Sequence, residues 1–317
     1  MERYRRLSGK NISKWYKTFG RKNLPWRKKV TPYRVWISEM ILQQTQVATG
    51  IDYFLKFTEK YPDLESIKFA SEDDILRLWK GLGYYRRATY IYQAKEIIHN
   101  KLSGKFPEEF DSIMSLPGVG RSTAGAILSI AFKKPYPILD GNVKRVLSRF
   151  YFQKIFNEKK FWILSEQMLD KIDPFSFQQG IMDIGATICK KQNPDCRVCP
   201  LKKSCKSNIR SDYFNLPAKR AKKKSLHLNF KIHYKENKIF LIRDNALGFW
   251  KNLWMPPYEV CKNNNYDIKH TLSHRDLFIE FKSEEKVDQF EDGQWFEKEK
   301  LQFIATPKPI SDKLLKL

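Results

Sequence analysis

Four cysteines, Cys189, Cys196, Cys199 and Cys205, fall within 17 residues, while Cys261 stands apart. Thiols gathered on one loop of a chain with no secretory pattern point to a metal site rather than a disulfide framework. Zinc accepts four cysteines, but its ribbons bring two close pairs, and only Cys196 and Cys199 form one here. A second constellation is Leu116-Pro117-Gly118-Val119-Gly120-Arg121-Ser122-Thr123-Ala124-Gly125. An apolar helix, a Pro-Gly-Val-Gly turn and a new helix opening on Ser-Thr make a hairpin between helices. Gly118 and Gly120 permit the tight backbone, and the exposed amides of the new helix start can grip a phosphate without reading sequence.

Both constellations need helices to position them, and the sequence from about Asn11 to Cys205 supplies helix-period apolar residues. They recur over Asp73–Trp79 and Val143–Phe150. Thr31-Pro32 is an N-cap and first-turn pair for a helix carrying Trp36, Ile37, Met40 and Ile41. From Lys206 to His227 this periodicity breaks, and five of the six residues Lys219–Lys224 are basic. Such a stretch is a linker that lies along a phosphate backbone or is a solvated hinge. Beyond it Leu228–Tyr234 and Lys238–Arg243 alternate around a turn at Glu236-Asn237, and His274–Phe281 reads as a further strand.

The 317 residues carry 59 lysines and arginines against 35 acids, a formal net charge of +24, with 42% apolar residues. That composition supports packed domains and implies an anionic partner, nucleic acid first. A Lys-rich, AT-biased genome would also give such an excess. No apolar run reaches the length of a membrane span, so no membrane partner is expected. A cytoplasmic, nucleoid-associated protein that is not secreted is the expectation.

The hairpin resembles the DNA-binding element of the endonuclease III superfamily of glycosylases. The likeness continues through Pro137-Ile138-Leu139-Asp140-Gly141-Asn142-Val143-Lys144-Arg145 and the cysteine spacing, which is that of the superfamily's 4Fe–4S loop. Trp36-Ile37-Ser38-Glu39-Met40-Ile41-Leu42-Gln43-Gln44-Thr45-Gln46-Val47 and Gly81-Leu82-Gly83-Tyr84-Tyr85 are similar to the MutY-type adenine glycosylases. The similarity is strong over Trp15–Cys205 and weak over the C-terminal third. It implies a mainly α, two-lobed helix-hairpin-helix glycosylase with a 4Fe–4S cluster loop, followed by a small α+β Nudix-like domain. Residues 1–210 would form the glycosylase domain, with 31–134 as the central lobe and 1–30 plus 135–210 as the iron–sulfur lobe. Residues 211–227 would be the basic linker and 228–317 the Nudix-like mismatch-recognition domain.

Cutting an N-glycosidic bond needs an acid for the departing base and a negative charge for the oxocarbenium-like sugar. Glu39 is the candidate acid. At helical spacing its neighbours are Val35, Trp36, Leu42 and Gln43, an apolar-leaning face that would raise its pKa by desolvation. Asp140 is the second carboxylate, and a plain N-cap for the helix that follows is its competing reading. Asn142 would orient water or cap that helix. Ser122 stands where strand-cleaving members of the superfamily place a Schiff-base lysine, which implies hydrolysis only. Lys144 is expected on a phosphate.

The resemblance puts Gln44 and Tyr84 where the family inserts side chains into the gap left by an extruded base. It puts Leu24, Trp26, Arg27, Val47 and Gln179 around the adenine pocket, with core packing as the rival for the apolar three. Leu247–Pro257 resembles the Trp-x-x-Leu-Trp-x-x-Pro segment of the Nudix-like domain, without an acidic metal box. Leu272-Ser273-His274 corresponds to the family's Phe-Ser-His loop with the Phe replaced, making Ser273 and His274 candidate contacts to the opposite strand. The implied partner is double-stranded DNA with A:8-oxoguanine or A:G mispairs, met by a monomer. Two alternatives stand beside this: an endonuclease III-type pyrimidine-lesion glycosylase that also cleaves abasic sites, and a DNA-binding iron–sulfur protein without catalysis.

Overall fold

The computed structural model describes residues 2–217, 223–243, 245–262, 265–285 and 293–317. Its helices in chain order are α1 Glu2–Phe19, α2 Pro25–Lys28, α3 Pro32–Leu42, α4 Val47–Lys60, α5 Glu72–Leu78, α6 Arg86–Lys101, α7 Phe110–Met114 and α8 Arg121–Ile130. They continue as α9 Gly141–Tyr151, α10 Glu158–Met168, α11 Pro174–Asp183, α12 Lys206–Ile209 and α13 Lys308–Leu314. The strands are β1 Lys224–Ile232, β2 Tyr234–Lys235, β3 Lys238–Arg243, β4 Trp254–Met255, β5 Tyr258–Cys261, β6 Ile268–Thr271, β7 Arg275–Ser283 and β8 Gly293–Glu297. Among the described residues no helix is long and apolar enough to cross a membrane.

Two compact units emerge, Met1–Lys68 with Gln93–Ala218, and Phe69–Tyr92 with Lys219–Leu317. In the first unit, the helix starts follow local chemistry. Thr31 Oγ1 accepts from the Arg34 amide at 3.2 Å with Pro32 at the first helical position, as the sequence requires. Asp140, Asn157 and Asp173 cap α9, α10 and α11 in the same manner. The core gathers Trp36, Phe54, Phe57, Phe161 and Phe177, all essentially without exposure. Burying aromatic rings of this size contributes about 1.5–3 kcal/mol each relative to exposure. Helix α1 packs on α10 and α11, so the N-terminus joins the helices that lead into the cysteine loop.

The second unit holds two sheets. One runs β5-β1-β7-β6, with β1 and β7 parallel in the register Leu226↔Leu277 and Leu228↔Ile279. The other is β2-β3-β4, with β8 pairing β3. Glu236 and Asn237 carry φ of 48° and 60°, the left-handed pair a two-residue hairpin demands, so this turn forms where its sequence placed it. Two strands differ from the sequence reading at both ends, β1 stopping at Ile232 and not Tyr234 and β7 running past Phe281 to Ser283. Strand β1 starts at Lys224 and not at Leu228, because pairing with Arg275–Leu277 extends it into the basic stretch. Strand β7 starts at Arg275, leaving His274 in the preceding turn. Most of the basic run, Lys219–Ala221 and Lys222, lies outside the described residues.

Candidate active site

One face of α8 builds the approach to Asp140. Ser122 Oγ accepts from the Leu139 amide at 3.0 Å, and Ser129 Oγ donates to the Tyr136 carbonyl at 2.6 Å. Between them a side chain on Gly125 would meet the Pro137 carbonyl at 2.4 Å. Two small hydroxyls and a glycine at positions i, i+3 and i+7 therefore let an extended segment lie flush on the helix. That segment delivers Asp140 to the start of α9, where its Oδ1 accepts from the Val143 amide at 2.7 Å. Ser122 thus has a positioning contact that its motif did not reveal. On the other side of the hairpin, Gly118 adopts φ of 77°, and Gln43 Nε2 reaches its carbonyl at 3.4 Å.

These elements enclose a cavity of about 740 Å³, within the range that holds a small-molecule-sized group. Glu39, from the last turns of α3, and Asp140 both line it. Burial pushes Glu39 up to about 8, the Asp140 charge pushes the same way, and Arg27 opposes both. Among the described residues no protein group hydrogen-bonds its carboxyl group. Asp140 is raised too, first by burial, while the amides of Val143 and Asn142 and the charges of Arg145 and Lys144 favour its anion. The N-cap and pocket readings of Asp140 coexist, since one oxygen caps α9 while the residue lines the cavity.

Leu24, Trp26, Arg27, Gln44, Val47, Gly118, Gly120, Ser122, Asn142 and Gln179 line the same cavity, from stretches far apart in sequence. Trp26 doubles as core, edge-on to Phe54 at 5.5 Å. Gln44 carries φ of 57°, a strained conformation for a side-chain-bearing residue. Lys144 is absent from the cavity wall and stands 4.6 Å from the Phe156 ring. Tyr84 belongs to the second unit, 43% exposed with φ of 50°. Ser273 and His274 also lie there, both exposed, with His274 beside Phe249 at 6.4 Å.

Asp183 escaped sequence reasoning. Fully buried, it accepts two hydrogen bonds from Arg27, at 2.7 and 3.0 Å, and one from Arg21 Nε at 2.7 Å. Burial alone would raise its pKa, but Arg27 and Arg21 together hold it below the ordinary carboxylate range. The pairing fixes the Arg27 guanidinium, whose charge opposes the rise of the Glu39 pKa.

Helix α9 also reaches the cysteines. Arg145 donates to the Cys189 and Gly185 carbonyls and, at 2.8 Å, to Asn142 Oδ1. Arg149, 2% exposed, donates to the Lys190 carbonyl at 2.7 Å and stands 3.4 Å from Cys189 Sγ. A π-helical turn, Ile184–Ile188, precedes Cys189, and a side chain at Gly185 would collide with Asn142. Cys189, Cys196, Cys199 and Cys205 are all free and line one cavity together with Val146, Phe150 and Leu201. Burial pushes the Cys199 thiol up to about 12. Four soft donors in a largely apolar recess, with a guanidinium at hand for thiolate charge, fit a thiolate-held cluster. Among the described residues no three His, Cys, Asp or Glu groups meet at a single ion's spacing.

Comparison with known proteins decides the family. Residues 37–165 match the HhH-GPD superfamily of base excision DNA repair proteins. An adenine DNA glycosylase of Buchnera aphidicola subsp. Baizongia pistaciae is 40% identical over 96% of this chain and 95% of its own. The chain belongs to the adenine DNA glycosylases. The human adenine DNA glycosylase is 36% identical over 66% of this chain and 40% of its own. A thermostable thymine-DNA glycosylase has a similar structure, at 29% identity and TM-score 0.60, over 66% of this chain and 98% of that one. An endonuclease III bound to DNA shares the fold at TM-score 0.56 and 22% identity, over 67% of this chain and 98% of its own. As an adenine DNA glycosylase this protein acts in base excision repair on the N-glycosyl bond of adenine in DNA.

Proposed function

We propose that this adenine DNA glycosylase removes adenine mispaired with 8-oxoguanine or guanine and leaves an abasic site, with Glu39 as general acid. The observation that carries the chemistry is a carboxyl group pushed up to about 8 in a cavity shared with a second carboxylate. A carboxylic acid with that pKa keeps its proton at neutral pH and can deliver it to the departing adenine ring. Asp140, held by the amides of Val143 and Asn142, offers the charge that steadies the sugar cation. Asn142, whose Oδ1 accepts from Arg145, would hold the attacking water. With Ser122 Oγ engaged by Leu139, no amine stands at that position to attack the sugar, so the strand stays uncut.

In this reading Leu24, Trp26, Arg27, Val47 and Gln179 receive the extruded base, and Gln44 and Tyr84 occupy the gap it leaves. Cys189, Cys196, Cys199 and Cys205 would hold a 4Fe–4S cluster that rigidifies a basic loop. Residues 228–317 would act as a Nudix-like domain in which Ser273 and His274 read the opposite base, and Lys144 would meet a phosphate. The protein would work as a monomer among cytoplasmic DNA.

A single-turnover assay tests this, using duplexes with adenine opposite 8-oxoguanine, guanine or thymine, read before and after alkali. Alkali-dependent cleavage, fastest opposite 8-oxoguanine, is expected; equal rates opposite all three bases would remove the mispair assignment. Iron and sulfide analysis of the purified protein, with its visible absorbance, tests the cluster; stoichiometric zinc would replace it.

A further inference from the structure

Residues Phe69–Tyr92 group with the C-terminal sheets in the second unit. Two acids in the first turn of α5 make the link. Asp73 pairs with Arg243 at the end of β3, and Glu72 Oε1 accepts from Asn252 Nδ2 at 2.8 Å. Both partners are held in place from their own side. The Arg243 guanidinium stands 4.5 Å from the ring of Trp254, its partner across β3–β4. Asn252, at φ of 61°, donates its amide to Asn245 Oδ1 at 3.0 Å.

At the other end of α5 the chain enters the Gly81–Tyr85 turn. Trp79 Nε1 donates to the Gly83 carbonyl at 3.2 Å, and Arg87 Nη2 donates to that same oxygen at 3.0 Å. The Gly81 amide donates to the Tyr85 hydroxyl at 3.1 Å. The Tyr84 ring, with the Arg87 guanidinium 5.4 Å from its centroid, remains partly exposed beyond the turn. A seven-residue helix thus carries a two-point attachment at its start and an exposed aromatic ring just beyond its end.

We propose that Arg243 and Asn252 are positioning residues for Tyr84: by clamping Asp73 and Glu72 they fix α5, and through Trp79 the attitude of the Tyr84 turn. The C-terminal sheet then sets how readily the aromatic ring enters duplex DNA, in addition to any contact that sheet makes with the opposite base. This rests on the reading above that Tyr84 fills the gap beside the extruded base. A partly exposed ion pair contributes modestly, so each single break should slow insertion about three- to tenfold and leave folding intact.

The test is stopped-flow fluorescence with a duplex carrying 2-aminopurine beside the mispaired adenine, on the full-length protein. Arg243→Ala and, as a milder break, Asn252→Gly should slow the fluorescence change, while Asp73→Arg combined with Arg243→Asp should restore it. In a Tyr84→Ala background, Arg243→Ala should have no further effect, the non-additivity expected of residues acting in series. Thermal melts with unchanged Tm would separate this from unfolding. Equal effects of Arg243→Ala in both backgrounds, or none in either, would overturn the clamp. Identical traces for the wild type and Tyr84→Ala would instead sink Tyr84 insertion itself, and the clamp with it.

Discussion

The pocket around Glu39 and the loop around Ser273 are both candidate contact regions, and they are built in opposite ways. Glu39 sits on a helix among Val35, Trp36 and Met40, in surroundings dry enough to push its pKa up to about 8. Ser273 and His274 stand exposed in a turn, where Ser273 Oγ lies 3.4 Å from His274 Nδ1 and the His274 ring lies 6.4 Å from that of Phe249. A buried group is tuned by everything that excludes water from it, so its function is large and brittle. An exposed turn offers contacts that water can replace, so each residue there contributes little by itself.

The strongest attempt to break that contrast is Glu39→Gln. A positioned general acid is worth about 10²–10⁴-fold, so single-turnover adenine excision should fall by about 10³ while DNA binding persists. A loss below tenfold would place the acid elsewhere. Next comes Asp183→Asn. Removing a fully buried anion leaves Arg27 and Arg21 without a counter-charge, at a cost of about 3 kcal/mol in denaturant melts. Unchanged stability would mean that water enters the site and satisfies both arginines.

The pH response sharpens the comparison further. Excision should hold steady near neutrality and fall as pH rises past about 8, when Glu39 loses its proton. Stability follows the same group. Because its folded pKa is raised, the native state is relatively favoured below an unfolded value of about 4.3 and loses ground as pH climbs through about 8. Glu39→Gln should therefore melt like the wild type in acid and be more stable by about 5 kcal/mol above that range. A variant no more stable at high pH would show that the carboxyl group is well solvated. The smallest effect is expected at the exposed loop, where Ser273→Ala or His274→Ala should change the preference for 8-oxoguanine over guanine by about threefold. A hundredfold change there would erase the contrast.

How much of this was legible beforehand depends on how local each signal is. Thr31-Pro32, the Glu236-Asn237 turn and the Pro-Gly-Val-Gly hairpin each act through backbone torsions within a few residues, and all formed where their residues stood. The raised pKa of Glu39 was readable from its helical neighbours because burial of one helix face is periodic. Ser122, Gly125 and Ser129 were not recognised as the bed for Tyr136–Leu139, though their spacing of three and four on α8 carried the signal. A stripe of small residues says that something approaches closely without saying what. Asp183 was invisible for a harder reason, since its partners Arg21 and Arg27 lie more than 150 residues away in the chain.

By itself, then, the sequence determined the residue types of the chemistry and the turns that carry them, because rotamers, caps and left-handed glycines obey short-range sterics. Only the tertiary structure decided that Glu39 and Asp140 share one cavity, that Asp183 pins Arg27 in the wall of that cavity, and that α5 answers to the C-terminal sheets. Those are juxtapositions across long loops, and they depend on which apolar faces pack together rather than on any local preference.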